Sequence, residues 1–436
     1  MKRNGNQQPL PPANEGRGPG QSGKSVVSRR ELLKMAGVGG LGLLVGSAGV
    51  GSVLAESGMW RGRTAPRSNE QIPFHGDVQA GIVTPSQNFV CFAAFDLITT
   101  RAEDLPVLFR KWTDAAARMT EGRPVGDENS NPNLPPADTG EALGLSPSKL
   151  TFTFGVGPAL FDSRFGLASK RPSALGELPR FPGDQLRAEW CGGDIGVQVC
   201  ADDLQVAFHA VRNLARIARG TAVLRWTQEG FQRTAAASGS GDTPRNLLGF
   251  KDGTANPDTK DAKLMNQVVW VQPSDEQGWM RGGSYMVVRR IRIRVEVWDR
   301  THLNEQEATF GRHRDSGAPL GAKSEFDPVQ LDAKTAAGDP VIPINAHVRI
   351  ARGDGSMQIL RRSYSYSSGI DRQTGQLDAG LLFISYQRDP FKQFVPMQQR
   401  LAKMDALNEY ISHVGSAVFA CFPGVQPGGY IGEGLF

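Results

Sequence analysis

Cysteine is scarce: the 436 residues contain four, Cys91, Cys191, Cys200 and Cys421, with no C-x-x-C pair and no C-x-x-C-H. Neither a thiolate zinc site nor a covalently attached haem is written in such spacing. Cys191 and Cys200 are left either to pair outside the cytoplasm or to remain buried thiols. Net charge is missing as well from the body of the chain. The formal charge of +5 and the pI near 9.0 come from residues 1–55, which hold seven of the 49 basic and two of the 44 acidic side chains. The remainder is formally neutral, so no nucleic-acid partner is expected. Beyond residue 55 no apolar run reaches the ~18 residues of a membrane span, so no stable span is expected in the mature protein. What is present, 39% hydrophobic and 21% charged residues, describes an ordinary globular chain. Its length exceeds the ~100 to 200 residues of a usual single domain.

The basic leader reads as an address. A polar, Pro/Gly-rich start leads to SRRELLKMAG at Ser28 to Gly37, then to an uncharged Gly-rich stretch from Ala36 to Val53. Paired Arg29 and Arg30 ahead of a weakly hydrophobic run match a twin-arginine export signal, with Leu32 where the commoner pattern has Phe. Val53 and Ala55 are the small residues that a signal peptidase site wants, which places a signal peptide at 1–55. Seven glycines between Ala36 and Val53 make that run a poor permanent anchor. The expected location is therefore periplasmic or extracellular. Twin-arginine export carries proteins that fold first, often around a cofactor.

Behind the leader the elements repeat. Apolar runs predict strands at Phe89 to Leu97, Leu150 to Gly155, Asp194 to Ala201 and Thr221 to Gln228. A helical stretch from Arg101 to Met119 follows the first, and a helix from Asp203 to Arg219 follows the third. In that second helix Leu204, Ala207, Phe208, Val211, Leu214, Ala215 and Ala218 share one side, which fits packing on a sheet. After the linker RTAAASGSGDTPRN the order recurs: SYMVVRRIRIRVEVWD, a helix around His302 to Thr309, ILRRSYSYS, GLLFISYQ, a long helix from Val395 to His413, and AVFACFP. The expected fold class is α+β: two tandem β-α-β-β-α-β, ferredoxin-like halves, 56–240 and 241–436, each an antiparallel sheet with helices on one face.

Two places invite chemistry. NLLGFKDGTANPD, Asn246 to Asp258, sets Asp252 in a Gly-bounded bend ending in Asn-Pro, either a plain surface turn or a rigid mount for a carboxylate. Of the six histidines, His209 belongs to the second helix, His75 and His302 lie at segment edges, and His413 falls near a helix C-terminus. His313 is crowded by Arg312 and Arg314. His347, in INAHVRIARG, is a lone imidazole delivered toward the interior of the second half, either a satisfied core histidine or an axial metal ligand.

QAGIVTP (Gln79 to Pro85), GDIGVQVCADD (Gly193 to Asp203), GFKDGTANP (Gly249 to Pro257), FGRHRDSGAPLG (Phe310 to Gly321), AHVR (Ala346 to Arg349), LRRSYSYS (Leu360 to Ser367) and GLLFISYQRDP (Gly380 to Pro390) occur in this order. Together they resemble the dye-decolourising haem peroxidases, and among them the exported deferrochelatase/peroxidase subgroup that accompanies bacterial iron uptake. The resemblance runs from about Pro73 to the C-terminus. It implies a fold of the dimeric α+β barrel type, one non-covalent haem b per chain, hydrogen peroxide and organic reductants as substrates, and iron-transporter components and a homodimeric assembly as partners.

Position by position, the resemblance implies His347 as the proximal ligand, Asp252 as the distal acid and Arg361 as the distal cation. Gly253, Thr254 and Ala255 would run along the haem edge, and Arg312, with Arg352 second, would hold propionates. Asp378 is the implied carboxylate behind His347. Leu381 and Phe383 would line the distal side or simply pack in their strand. His313 is a further residue at the cofactor and the rival ligand. The segment VRIARGDGSMQIL departs from the family pattern: it is short and lacks an Asn-Pro after the Arg-x-x step. A carboxylate whose reference pKa is about 3.9 serves as base only when ionised, and the implied activity is skewed to acidic pH. Bulky donors would deliver electrons through surface aromatics such as Trp190, Trp226, Trp279 or Trp298. The alternative implied activity is release of iron from haem.

Overall fold

In the computed structural model, residues 70–127, 129–233, 242–275 and 278–436 are described, all within a compact unit spanning Pro66–Phe436. The leader and most of the Gly/Ser/Thr-rich linker lie outside the described residues. No described helix is long and apolar enough to cross a membrane.

Four strands come from the first half: β1 (Phe89–Leu97), β2 (Thr151–Val156), β3 (Ile195–Ala201) and β4 (Ala222–Phe231). Helix α1 (Asp104–Thr120) follows β1, and α2 (Leu204–Ile217) joins β3 to β4. The second half supplies α3 (Ala262–Val268), β5 (Ser284–Ile293), α4 (Val295–Trp298), α5 (Leu303–Phe310) and α6 (His347–Arg352). Then follow β6 (Leu360–Arg361), β7 (Tyr364–Ile370), β8 (Leu377–Gln387), α7 (Phe394–Met404) and β9 (Ile411–Cys421). The fold is α+β, and the strands pair antiparallel in the order β5-β9-β2-β3-β1-β4-β7-β8-β6. A further antiparallel pairing of β5 with β8, from Tyr285↔Gln387 to Arg292↔Gly380, closes the sheet on itself. The two halves therefore share one barrel. Their seams are short: β2 meets β9 at two residue pairs, and β4 meets β7 at one.

Period-two alternation divides the side chains between two cores. Val90, Phe92, Met286, Val288, Leu382, Ile384, Tyr386 and Phe419 point into the barrel, where Trp226, Tyr364 and Tyr366 join them. Cys91, Ala93, Phe95, Tyr285, Val287, Val418 and Ala420 point outward against the helices. Each class of strand residue thus stabilises a different layer, at roughly 1.5 to 3 kcal/mol per large apolar side chain buried.

Several sequence expectations shift. Helix α2 is rotated from its apolar stripe: Leu204 and Phe208 are exposed, whereas His209 and Asn213 are buried. The cause is the 137–141 loop, which offers Asp138 Oδ1 to His209 Nε2 at 2.8 Å and Thr139 Oγ1 to Asn213 Nδ2 at 2.8 Å. The run from Ser284 is strand only to Ile293, then turns into α4. The long helix expected from Val395 to His413 ends at Met404, because Asp405 caps a new short turn by accepting the Leu407 N–H. His413 consequently sits within strand β9, not at a helix terminus. All four cysteines are free.

Candidate active site

A cavity of about 400 Å³ lies on the outer face of the second half. Such a volume falls within the roughly 300 to 1,000 Å³ of small-molecule and cofactor sites. Its sheet wall is built from alternate residues of three strands: Arg289, Ile291 and Ile293 of β5, Leu381 and Phe383 of β8, and Ile411 and His413 of β9. Their spacing by two is what puts them on one side of the sheet, and cross-strand register sets Ile291 beside both Leu381 and His413. Helices α6 and α7 supply His347, Val348, Ala351, Met397 and Leu401 as the opposing wall.

His347 is the first residue of α6. The start of that helix packs against the end of α5, where Gly311 has φ +77° and a Cβ would lie 2.7 Å from Val348 Cγ1. Only glycine fits there. His347 Nδ1 lies 2.5 Å from Asp405 Oδ2, and Asp405 Oδ1 accepts the Leu407 N–H at 2.9 Å. Both carboxylate oxygens are thereby committed, so the imidazole plane is fixed and Nε2 is the nitrogen left for a ligand. A third of the His347 side chain (33%) is open, and it opens onto the cavity. Burial lowers its proton affinity, but the Asp405 carboxylate outweighs that and raises its pKa above the ordinary histidine value.

The Asp252 bend forms the other margin. Its backbone N–H donates to Pro244 O at 2.8 Å, Gly253 takes φ +125°, and Asp252 Oδ1 accepts from Arg361 Nη1 at 2.8 Å. Asn256 ties the bend to β6 twice: its Nδ2 donates to Arg361 O at 2.7 Å and its Oδ1 accepts the Arg361 N–H at 3.1 Å. Gly253, Thr254 and Ala255 all line the cavity. Beneath them Glu325, 7% exposed, accepts from Lys251 Nζ at 2.5 Å, from Thr254 Oγ1 at 2.8 Å and from Thr243 Oγ1. Burial raises the Glu325 pKa, but these donors outweigh it and hold the carboxyl below its usual range. Arg312 Nη1 donates to Gly317 O at 2.7 Å and to Glu325 O at 3.0 Å, and the rest of its guanidinium borders the cavity. Burial, with the nearby Arg361 charge, pulls its pKa down against the pull of Glu325.

A second cavity of about 500 Å³ meets the first at Asn246, Asp252, Gly253, Arg361 and Leu381, and is lined beyond them by Ser86, Asn88, Arg233, Arg245 and Arg362. The Asp252–Arg361 ion pair thus stands between an apolar chamber and a polar one.

Among the sequence candidates, Asp252, Gly253, Thr254, Ala255, Arg312, His347, Arg352, Arg361, Leu381 and Phe383 converge on one cavity. Asp378 does not orient His347. It lies on the barrel-interior parity of β8, where its Oδ2 accepts from Arg290 Nη2 at 2.8 Å. Asp405, 58 residues from His347, takes that role. His313 does not line the cavity; its Nδ1 lies 2.9 Å from Glu307 Oε2 and its side chain is 39% exposed. Three of the proposed surface tryptophans, Trp226, Trp279 and Trp298, are buried. Asp405, Asn256 and Glu325 were missed. Only Asp405 carries a local signal, as a capping residue before Ala-Leu-Asn.

The donor set fits a single flat, apolar cofactor held by one axial imidazole. Nε2 of His347 is unclaimed, the walls are aliphatic and aromatic, and cations border the margin. No cysteine is among the described lining residues, and no group of three or more His, Cys, Asp or Glu among the described residues is arranged to hold a bare metal ion.

Comparison with known proteins agrees in both halves. Residues 79–232 match the family described as Dyp-type peroxidase, N-terminal, and residues 243–426 match Dyp-type peroxidase, C-terminal. The chain is 43% identical over 426 residues to a deferrochelatase of Escherichia coli O6:K15:H31, covering 95% of this chain and 98% of that one. A Shigella flexneri deferrochelatase is 42% identical over the same length and shares. Among solved structures, ferric DtpA from Streptomyces lividans is 40% identical with a TM-score of 0.78, covering 84% of this chain and 97% of that one. A DyP-type peroxidase from Cellulomonas bogoriensis is 41% identical with a TM-score of 0.76, covering 84% and 98%.

Proposed function

We propose a residue-level chemistry from one premise: this chain belongs to the Dyp-type peroxidase family. It is a haem peroxidase, which reduces hydrogen peroxide and oxidises a donor. When bound, the haem supplies the iron at which peroxide is reduced and the oxidising power that donors consume. The observation that carries the assignment of roles is the His347–Asp405 contact at 2.5 Å, on the same cavity as the Asp252–Arg361 pair.

His347 Nε2 is the proposed iron ligand, and Asp405 fixes its tautomer, keeping the proton on Nδ1 and strengthening Nε2 as a donor. With the cofactor bound, Asp252 would take a proton from one oxygen of hydrogen peroxide and return it to the other, which would leave as water. Holding the carboxylate on a Gly-flanked bend, bonded to Arg361, keeps it within reach of both oxygens. Arg361 stabilises the negative charge that gathers on the departing oxygen. The apolar wall of Ile291, Ile293, Leu381 and Phe383 would exclude water from the bound cofactor. Arg312 and Arg352, at the margin, are the proposed partners of the cofactor's carboxylates.

The b-type, non-covalent character of the haem is part of the proposal, supported by the spacing of the four cysteines. Export by the twin-arginine route rests on residues 28–55 of the sequence. A homodimer and association with iron-transporter components rest on the resemblance alone.

Asp252→Asn and Arg361→Leu, assayed for peroxide-driven dye oxidation with haem retained, test the assignment. Unchanged turnover in both sinks it. A second reading has its own support, the name deferrochelatase borne by relatives 42 to 43% identical over 95% of this chain. In that reading the same cavity releases iron and leaves the porphyrin whole. Anaerobic incubation with haem and no peroxide separates the two: metal-free porphyrin accumulates only if iron is released.

A further inference from the structure

His413 is a second imidazole in the cavity wall, and no role assigned so far uses it. It is 8% exposed, and no side-chain hydrogen bond joins it to any described residue. A largely buried imidazole without a protein partner is destabilising unless whatever fills the cavity supplies one. Its neighbour narrows what that partner is. Arg289, 1% exposed, lines the same stretch of wall, donating Nη1 to Ser416 Oγ at 3.0 Å and Nη2 to Asp184 Oδ1. Burial, helped by the Arg289 charge, pushes the His413 pKa down to about 3, so the ring is neutral and presents one N–H.

Asp184 already pairs the guanidinium, so the imidazole is the group left to satisfy, and a purely apolar occupant would leave it without a partner. A carboxylate, the strongest acceptor an organic ligand carries, answers it. The rest of this wall is Ile291, Ile411 and Phe383, so the anion arrives on a flat apolar body. On a porphyrin the only anionic periphery is its propionate carboxylates.

Resting on the haem reading above, we propose that His413 donates a hydrogen bond to a cofactor propionate at the Arg289 end of the cavity, and so sets which way round the porphyrin enters. The same carboxylate chemistry would suit an acidic organic donor, and the test separates the two.

The full mature chain, stripped of cofactor, is titrated with metal-free protoporphyrin and with its dimethyl ester, followed by absorbance. Metal-free porphyrin removes the His347 bond from the measurement. Wild type is expected to prefer the free acid by roughly tenfold or more. His413→Leu is expected to reduce that preference measurably, the part due to Arg312 and Arg352 remaining, and His413→Gln, which keeps an N–H, to restore some of the loss. Should His413→Leu fold poorly, the Gln variant and a His413→Phe variant carry the comparison. An acid-over-ester preference equal to wild type in the Leu or Phe variant overturns the proposal. So does a benzoate-induced change in the holoprotein spectrum that His413→Leu abolishes while the porphyrin preference stays intact. Failure of the haem reading itself registers elsewhere, in a His347→Ala protein whose iron-porphyrin spectrum is unchanged.

Discussion

Asp405 holds His347 through Oδ2 at 2.5 Å while its Oδ1 caps the turn that opens β9, so one buried carboxylate both sets the imidazole and starts the strand that carries His413. Replacing it by Asn keeps the shape and removes the charge. Asp405→Asn is expected to raise the reduction potential of the bound haem and to lower affinity or turnover by roughly 10 to 100-fold. A spectroelectrochemical titration reads the potential. Asp378→Asn, by contrast, leaves it in place, since Asp378 serves Arg290 inside the barrel.

The Asp252–Arg361 pair is expected to behave as a unit. Asp252→Asn lowers peroxide-driven turnover by roughly 10² to 10⁴-fold, and Arg361→Leu by roughly 10² to 10³-fold. The double variant loses less than the product of the two, because each residue acts through a geometry the other maintains. Stopped-flow mixing of the holoprotein with peroxide measures all three.

Asn256 touches no reacting atom, yet its two bonds to the Arg361 backbone hold the bend against β6. Asn256→Ala leaves that strand's polar groups unpaired, a loss of roughly 1 to 3 kcal/mol. The expected result is a lower thermal midpoint together with reduced turnover at unchanged haem affinity.

Glu325 gives a pH-dependent test. Its pKa is lower in the folded protein than in the unfolded chain, because Lys251, Thr243 and Thr254 stabilise the charged form against the cost of burial. The stability it contributes is therefore present above the ordinary glutamate pKa of about 4.3 and disappears as pH falls through the depressed folded value. Glu325→Gln is expected to be less stable near neutrality and to show a flatter decline on acidification. Chemical denaturation at a series of pH values checks it. A wild-type and variant pair with parallel acid limbs refutes it.

The pattern of apolar runs marked most strands of the barrel, because alternation is written in consecutive residues, but it joined β6 and β7 into one and began β9 several residues late. Closure was not legible in that way, since the β5–β8 ladder depends on which strands meet and not on any one strand's composition. The same alternation explains the error at Asp378. Leu381 and Phe383 share one side of β8, and Asp378 sits on the opposite parity with Leu382 and Ile384, so nearness in sequence misled. Asp252, His347 and Arg361 were legible as motif residues. Asp405 is hidden in the sequence because its partner lies 58 residues away and the helical pattern from Val395 to His413 runs through it. His413 inherited that mistake and was read as a helix end.

The barrel's two seams, one and two residue pairs long, are bridged by far fewer backbone bonds than the long ladders on either side. What spans them is the aromatic filling, with Phe419, Phe92, Trp226 and Tyr364 reaching across from both halves. Backbone amides at Val156, Ala420 and Ser365 should accordingly exchange with solvent deuterium before those in the middle of β5 and β9. An opening that began at these joints would leave the cavity, carried by strands and helices of one half, with its walls intact.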